Sequence, residues 1–226
     1  RLHRRKSSKG CNGSSGVKIV LETIPVWDAF RASDECPVCT LMEKAEKDAL
    51  SYYLSSAIMT PEVRVETNEN GFCPYHFILL SKEGKPQSLA LLMDTYYGKD
   101  QEIFSPYFTS IKKAGNARKA LKAAEGFRSA LSEREKGCLI CSRMKDREDR
   151  YLYTIASLWN EDSAFRSFFN SSKGLCMHHT ALLSENRGEP LPGPSLLSFL
   201  QDLFSLLERN RERVRKDDWC MTQKYK

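Results

Sequence analysis

Cysteine and histidine occur twice in one pattern. Cys36-Pro37-Val38-Cys39 is followed by Cys73-Pro74-Tyr75-His76, and Cys138-Leu139-Ile140-Cys141 is followed by Cys176-Met177-His178-His179. The leading cysteines of the paired motifs stand 37 positions apart in the first case and 38 in the second. Six of the eight cysteines and three of the four histidines lie in these motifs. Three thiolates and one imidazole are the donor set of a tetrahedral metal site, above all of structural zinc. In Cys-x-x-Cys and Cys-x-x-His both ligand atoms leave one turn of chain on the same side, within reach of one ion. A helix N-terminus at such a motif favours thiolate over thiol through its unpaired N–H groups. A closed set of four protein ligands leaves no position for substrate or water, which points to a staple rather than a catalyst. The same ligands can hold an iron–sulfur cluster, and a Cys-x-x-Cys pair can act as a redox dithiol.

The likeness extends beyond the ligands. Aligning the segment from Glu35 with that from Gly137 pairs Met42 with Met144, Glu46 with Glu148 and Leu50 with Leu152 without a gap. Val63-Arg64 falls on Phe165-Arg166, and one inserted residue brings Gly71, Cys73 and Leu79-Leu80 onto Gly174, Cys176 and Leu182-Leu183. Ordered matches at one offset mark an internal duplication. The same register sets His179 against His76 and His178 against Tyr75, so His179 is the expected ligand and His178 the alternative. The expected sets are Cys36, Cys39, Cys73 and His76 around one zinc ion and Cys138, Cys141, Cys176 and His179 around a second. Spacing alone also allows the pairs to be exchanged between the repeats.

The elements that must carry these ligands read as helices. From Pro37 to about Ile58, Leu41, Met42, Ala45, Ala49, Leu50, Tyr53 and Leu54 recur at spacings of three and four, the period of an amphipathic helix. Pro37 suits its first position, where the missing N–H would be unpaired anyway. Short helices are expected from Thr60-Pro61 through Arg64, around Cys73 and His76 up to Gly84, and from Ser88 to Tyr97. The second half repeats the order, with helices from Leu139 to about Trp159, from Ser163 to Asn170 and from Cys176. A proline loop (Pro190, Pro192, Pro194) precedes a closing helix from Leu196 to Val214. Val17 to Ile24 reads as a short extended segment, and Trp27 to Ala32 as one helical turn. No strand alternation or βαβ pattern emerges, so the expected class is all-α. The organisation reads as a basic tail over 1–16, a first repeat over 17–102, a Lys/Ala-rich helical connector over 103–136 and a second repeat over 137–226, together one compact domain.

Of the net charge of +6, five units come from Arg1, Arg4, Arg5, Lys6 and Lys9, in a stretch without an acid. The nearly neutral remainder argues against a broad nucleic-acid surface. The Ser/Gly-rich head buries too little to fold and reads as a disordered tail. No apolar run reaches the roughly 18 residues that span a bilayer, and Val17 to Leu21 is too short for a signal-peptide core. The cytoplasm is the expected compartment, where paired cysteines serve as ligands more often than as disulfides. The chain begins with Arg1, and a natural start near Val17 is expected. Cys11, Cys220 and His3 read as bystanders. Arg64 and Arg166 read either as donors to the thiolates or as ordinary solvated arginines. Glu43, Glu46 and Glu148 read as solvated, charge-paired helix faces. No catalytic constellation, phosphate loop or nucleophile elbow is present in the pattern.

TIPVWDAF, ECPVC, VRVETNENGFCPYH and LALLMDTYY, with FRSFFNSSKGLCMHH in the second half, resemble an uncharacterised bacterial family known as domain of unknown function 6062. The resemblance runs from about Val17 to the end of the chain. It implies a bacterial, cytoplasmic protein, often of anaerobes, and no particular activity. It also implies a chain that continues past Lys226 and an aromatic residue where Cys220 stands. The functional expectation is a non-enzymatic zinc protein, a structural scaffold for a protein partner docked on the Leu196–Val214 helix. The competing expectation is a thiol-redox, iron–sulfur or metal-responsive protein using the thiolates directly.

Overall fold

Four prolines placed just after a break in the chain explain where several helices begin. The computed structural model describes residues 22–224. In chain order these form α1 (Thr23–Arg31), α2 (Pro37–Tyr53), a short 3-10 turn (Ser56–Met59), α3 (Pro61–Asn70), α4 (Pro74–Lys82) and α5 (Pro86–Lys112). They continue with α6 (Ala117–Glu135), α7 (Leu139–Glu161), α8 (Ser163–Ser171), α9 (Met177–Ser184) and α10 (Gly193–Gln223). There is no strand among the described residues, so the fold is all-α. Pro37, Pro61, Pro74 and Pro86 are each the first residue of their helix, where a missing N–H costs nothing and a fixed φ helps.

Several boundaries differ from those read in the sequence. Thr23 and Ile24, expected as extended, already belong to α1 together with Pro25; a proline in the first helical turn removes only an N–H that has no intrahelical partner. α2 stops at Tyr53, and the 3-10 turn takes up the rest of its expected length. α3 runs past Arg64 to Asn70 and ends where Gly71 adopts φ +66°, a conformation glycine takes without strain. α5 begins at Pro86 and passes unbroken through Gly98 and Pro106 to Lys112. The Lys/Ala-rich stretch therefore folds as the end of α5, a turn and α6. α6 lies back on α5 through Phe127, which meets Phe104 and Phe108 at 5.3 and 5.6 Å. α10 is longer at both ends than the expected Leu196–Val214 helix. The tail over 1–16, with His3 and Cys11, and the start near Val17 lie outside the described residues.

α2 and α7 pack against each other in opposite directions. Val38 and Leu41, near the start of α2, share a core with Tyr151, Leu152, Ile155 and Trp159, in the later part of α7. Ala49, Leu50 and Tyr53, at the end of α2, share a second core with Leu139 and Ile140, at the start of α7. The guanidinium of Arg143 on α7 lies 4.3 Å from the centre of the Tyr52 ring, a favourable cation–π contact on the same seam.

Each core draws on both halves of the chain. The first gathers α1, the start of α2, the end of α7, α8, α9 and α10. Trp27 and Phe30 of α1 meet Phe165 of α8 edge-on at 5.1 and 5.2 Å, the preferred aromatic geometry. The second gathers the end of α2, α3, α4, α5 and the start of α7. The N–H of Leu139 donates to the Gly71 carbonyl at 3.1 Å. A Cβ at Gly137 would lie 2.4 Å from the Asn70 carbonyl oxygen. Glycine is therefore needed there for α7 to start against the end of α3.

Candidate metal centres

The antiparallel pair decides which ligands meet. Cys36 and Cys39 sit at the start of α2, and Cys138 and Cys141 at the start of α7. Cys176 and Cys73 occupy the cap positions of α9 and α4, with His179 and His76 in the first turn of each. The structure groups Cys36, Cys39, Cys176 and His179 in one cluster and Cys73, His76, Cys138 and Cys141 in the other. Within each cluster the four ligand atoms lie within 4.8 Å of one another.

This corrects the leading expectation, which paired Cys36 and Cys39 with Cys73 and His76, and Cys138 and Cys141 with Cys176 and His179. The ligand pairs are exchanged between the halves. The reason is reach. The chain returning from α2 brings His76 back only to the level of Glu46, whose carboxylate oxygen lies 3.3 Å from His76 Nε2. Cys36 is ten residues further along the same helix, roughly 15 Å at 1.5 Å per residue. The start of α7, set antiparallel beside the end of α2, fills the place instead.

The distances suit one ion per cluster. In the first, the Cys39 and Cys176 sulfurs are 3.8 Å apart, and His179 Nδ1 lies 3.4, 3.4 and 3.2 Å from the sulfurs of Cys36, Cys39 and Cys176. In the second, the Cys73 and Cys141 sulfurs are 3.9 Å apart, and His76 Nδ1 lies 3.2, 3.3 and 3.3 Å from those of Cys73, Cys138 and Cys141. Metal–sulfur bonds of about 2.3 Å and metal–nitrogen bonds of about 2.0 Å at tetrahedral angles put sulfurs about 3.8 Å apart and sulfur and nitrogen about 3.5 Å apart. These separations are far outside the roughly 2.05 Å of a disulfide.

Each cluster lies where two helices begin, α2 and α9 in one case, α4 and α7 in the other. The thiols at Cys176 and Cys138 accept from the backbone N–H of His179 and Cys141 at 3.4 and 3.5 Å. A dication with three thiolates carries one net negative charge. Two helix N-termini, each worth about half a positive charge, offset it.

As bare thiols these groups resist ionisation unevenly. Burial, then the crowding of Cys36 and Cys176, pushes Cys39 up to about 12. Burial, then Cys138 and Cys73, pushes Cys141 up to about 12. Burial also raises Cys36. Burial works the same way on Cys73, but the backbone N–H of His76 and the neighbouring thiols outweigh it, and the net shift is downward. Burial lowers His179 below the usual histidine range, with Glu148 opposing. A neutral imidazole is the form that ligates a metal.

Both imidazoles turn Nδ1 toward the sulfurs and Nε2 toward a carboxylate. Glu148 Oε1 lies 3.3 Å from His179 Nε2, as Glu46 Oε1 does from His76 Nε2. Glu46 and Glu148 are therefore not the solvated, charge-paired faces expected of them. Their signal was present in the sequence as an aligned pair ten residues after the first cysteine of each motif. Arg64 and Arg166 do not reach the thiolates. Arg64 Nε donates to the Ile58 carbonyl at 2.9 Å and Arg166 Nε to the Trp159 carbonyl at 2.8 Å, closing the carbonyl ends of the preceding turns. His178 is exposed, beside His179 and Glu148. Cys220 is exposed on α10.

Residues 17–226 match the model of a family of unknown function, DUF6062. The chain belongs to that family. No curated protein and no solved structure matches it. Among the described residues, no helix is long and apolar enough to cross a membrane.

Proposed function

We propose that this DUF6062 protein is a non-enzymatic zinc protein made of two repeats, whose two Cys3His sites lock the halves together through exchanged ligands. One observation carries the reading: in both clusters all four donor atoms fall within 4.8 Å, at the separations of a single tetrahedral ion. Zinc is favoured by the mixed sulfur and nitrogen donors and by the closed set of four. An iron–sulfur cluster spreads its ligands over more than one iron, and so suits this spacing less well. In this reading the chain works in the reducing cytoplasm, where such thiols persist as ligands.

The role proposed for the stapled body is a scaffold for a protein partner. Support comes from α10, where Leu197, Phe204 and Val214 are exposed. Phe204 lines a groove of about 1160 Å³ edged by Met177, Leu207, Glu208 and Arg211. The competing reading, direct thiol chemistry, draws on the exposure of Cys39 and Cys141.

Metal content and visible absorption of protein purified without oxygen separate these readings. The expected result is two zinc ions per chain and no visible band. Iron with a broad visible band, or no metal with reversible oxidation of the Cys-x-x-Cys pairs, would overturn the zinc scaffold.

A further inference from the structure

The carboxylates that hold the two histidines lie on the wrong helices for their sites. α2 gives Cys36 and Cys39 to the first cluster, yet its Glu46 holds His76 of the second. α7 gives Cys138 and Cys141 to the second cluster, yet its Glu148 holds His179 of the first. In each helix the carboxylate follows the first cysteine by ten residues, a distance of roughly 15 Å along the axis. An ion at one end of α2 fixes that helix along and about its axis. It thereby fixes Glu46, which aims the imidazole of the other site. α7 does the same in the opposite direction.

We propose that Glu46 and Glu148 are positioning residues that couple the two sites, so that each ion strengthens the binding of the other. The inference rests on the metal reading above. Both carboxylates are shielded, with side chains 21% and 17% exposed, so solvent screens the contact only in part. An imidazole N–H held by a carboxylate is oriented for ligation and is a more basic ligand, and losing such a partner weakens metal binding about 10–100-fold.

The test uses the full chain loaded with zinc and exposed to a chelator and iodoacetamide, with each cysteine's alkylation followed by peptide mapping. In Glu46→Gln, Cys73, Cys138 and Cys141 should react about 10–100-fold faster than in the unsubstituted protein. Cys36, Cys39 and Cys176 should accelerate by a smaller factor. Glu148→Gln should give the mirror image, which keeps the test available if one variant folds poorly. Glu43→Gln, one turn away and paired with Lys47 on the surface, should change neither set. A merely local effect on α2 would expose Cys36 and Cys39 first in Glu46→Gln, and that result overturns the proposal. So do unchanged rates, or equal acceleration of both sets. An unsubstituted protein that holds no ion overturns the metal reading itself, whereas two ions with uncoupled sites overturn only this inference.

Discussion

Cys36→Ser distinguishes exchanged ligation from ligation within each half. Cys36 is 6% exposed and its sulfur faces His179 Nδ1 at 3.4 Å. A serine hydroxyl is a poor substitute for a thiolate toward zinc. The first site should lose its ion and the second should keep one, so native mass spectrometry should read one zinc instead of two. Alkylation mapping should then find Cys39 and Cys176 fully reactive, with Cys73, Cys138 and Cys141 far slower. Ligation within the halves predicts instead that Cys39 and Cys73 become reactive together.

The cost in stability follows from what the staple joins. Structural zinc contributes on the order of 10 kcal/mol to folding. The cross-link from Cys39 to Cys176 spans 137 residues, against 34 from Cys39 to Cys73. The longer loop removes about 1.2 kcal/mol more entropy from the unfolded chain, from the logarithmic dependence on loop length. Closing a loop of this length removes about 5 kcal/mol of unfolded-chain entropy, so losing the first site should cost about 4 kcal/mol, with three ligands left to collapse on one another. At 2–4 °C per kcal/mol for a chain of this size, Tm should fall by roughly 8–16 °C. Circular dichroism during heating reads this directly. A variant that keeps two ions and an unchanged Tm, or frees Cys73 together with Cys39, would refute the reasoning.

Gly71→Ala should destabilise the second core by about 2 kcal/mol or more, because φ is +66° and a Cβ would lie 2.5 Å from the Tyr96 ring; urea denaturation measures the loss. Phe165→Ala empties a fully buried position against Trp27 and Phe30 and should cost about 3–5 kcal/mol in the same assay. Zinc and pH should act together with a defined sign. Cys39 and Cys141, pushed up to about 12 as bare thiols, are protonated at neutral pH, so zinc binding must expel their protons. Calorimetry in buffers of different ionisation enthalpy should record proton release, and zinc affinity should rise with pH. Without metal, those raised thiols make the fold hold more protons than the unfolded chain above about 8.5, so stability should fall as pH rises from there toward 12. With zinc bound the fold holds fewer protons than the unfolded chain, so stability should fall as pH drops below about 8.5. Equal pH profiles with and without metal would contradict this account.

The helical class was legible because Leu41, Ala45, Ala49 and Leu50 repeat at the helix period and no stretch alternates like a strand. The alignment sets His179 against His76, and in the structure it is His179 whose Nδ1 faces three sulfurs. The pairing of the clusters was not legible. Spacings of 37 and 38 describe the chain between motifs, whereas the pairing depends on the antiparallel set of α2 against α7. That set is decided by which apolar faces meet, Leu41 with Ile155 in one core and Leu50 with Ile140 in the other. Glu46 and Glu148 were overlooked for a related reason. Neighbouring lysines and arginines made them look like surface charges, while their actual partners come from residues 30 and 31 positions away. The continuation of α5 through Gly98 and Pro106 also ran against local propensity. Packing of α6 along it through Phe127 supplies what the weak helix formers lack.

Exchange of ligands would change what a pair of metal staples does. Two self-contained sites would leave the halves joined only by their shared cores and the α2–α7 seam, with no metal link between them. The middle of that seam carries charges, with Arg143, Arg147 and Arg150 of α7 and Asp48 of α2 lining a small cleft. In the proposed metal-bound form, each ion would span the seam and join the start of one long helix to the returning segment of the other half. The two cores then inherit the same crossing: α1 precedes the first motif yet packs on α8, and Leu139 opens the second half yet bonds Gly71. Opening either half would then require breaking a metal site and a core together. The proposed ions would thus reinforce the two cores that already join the halves.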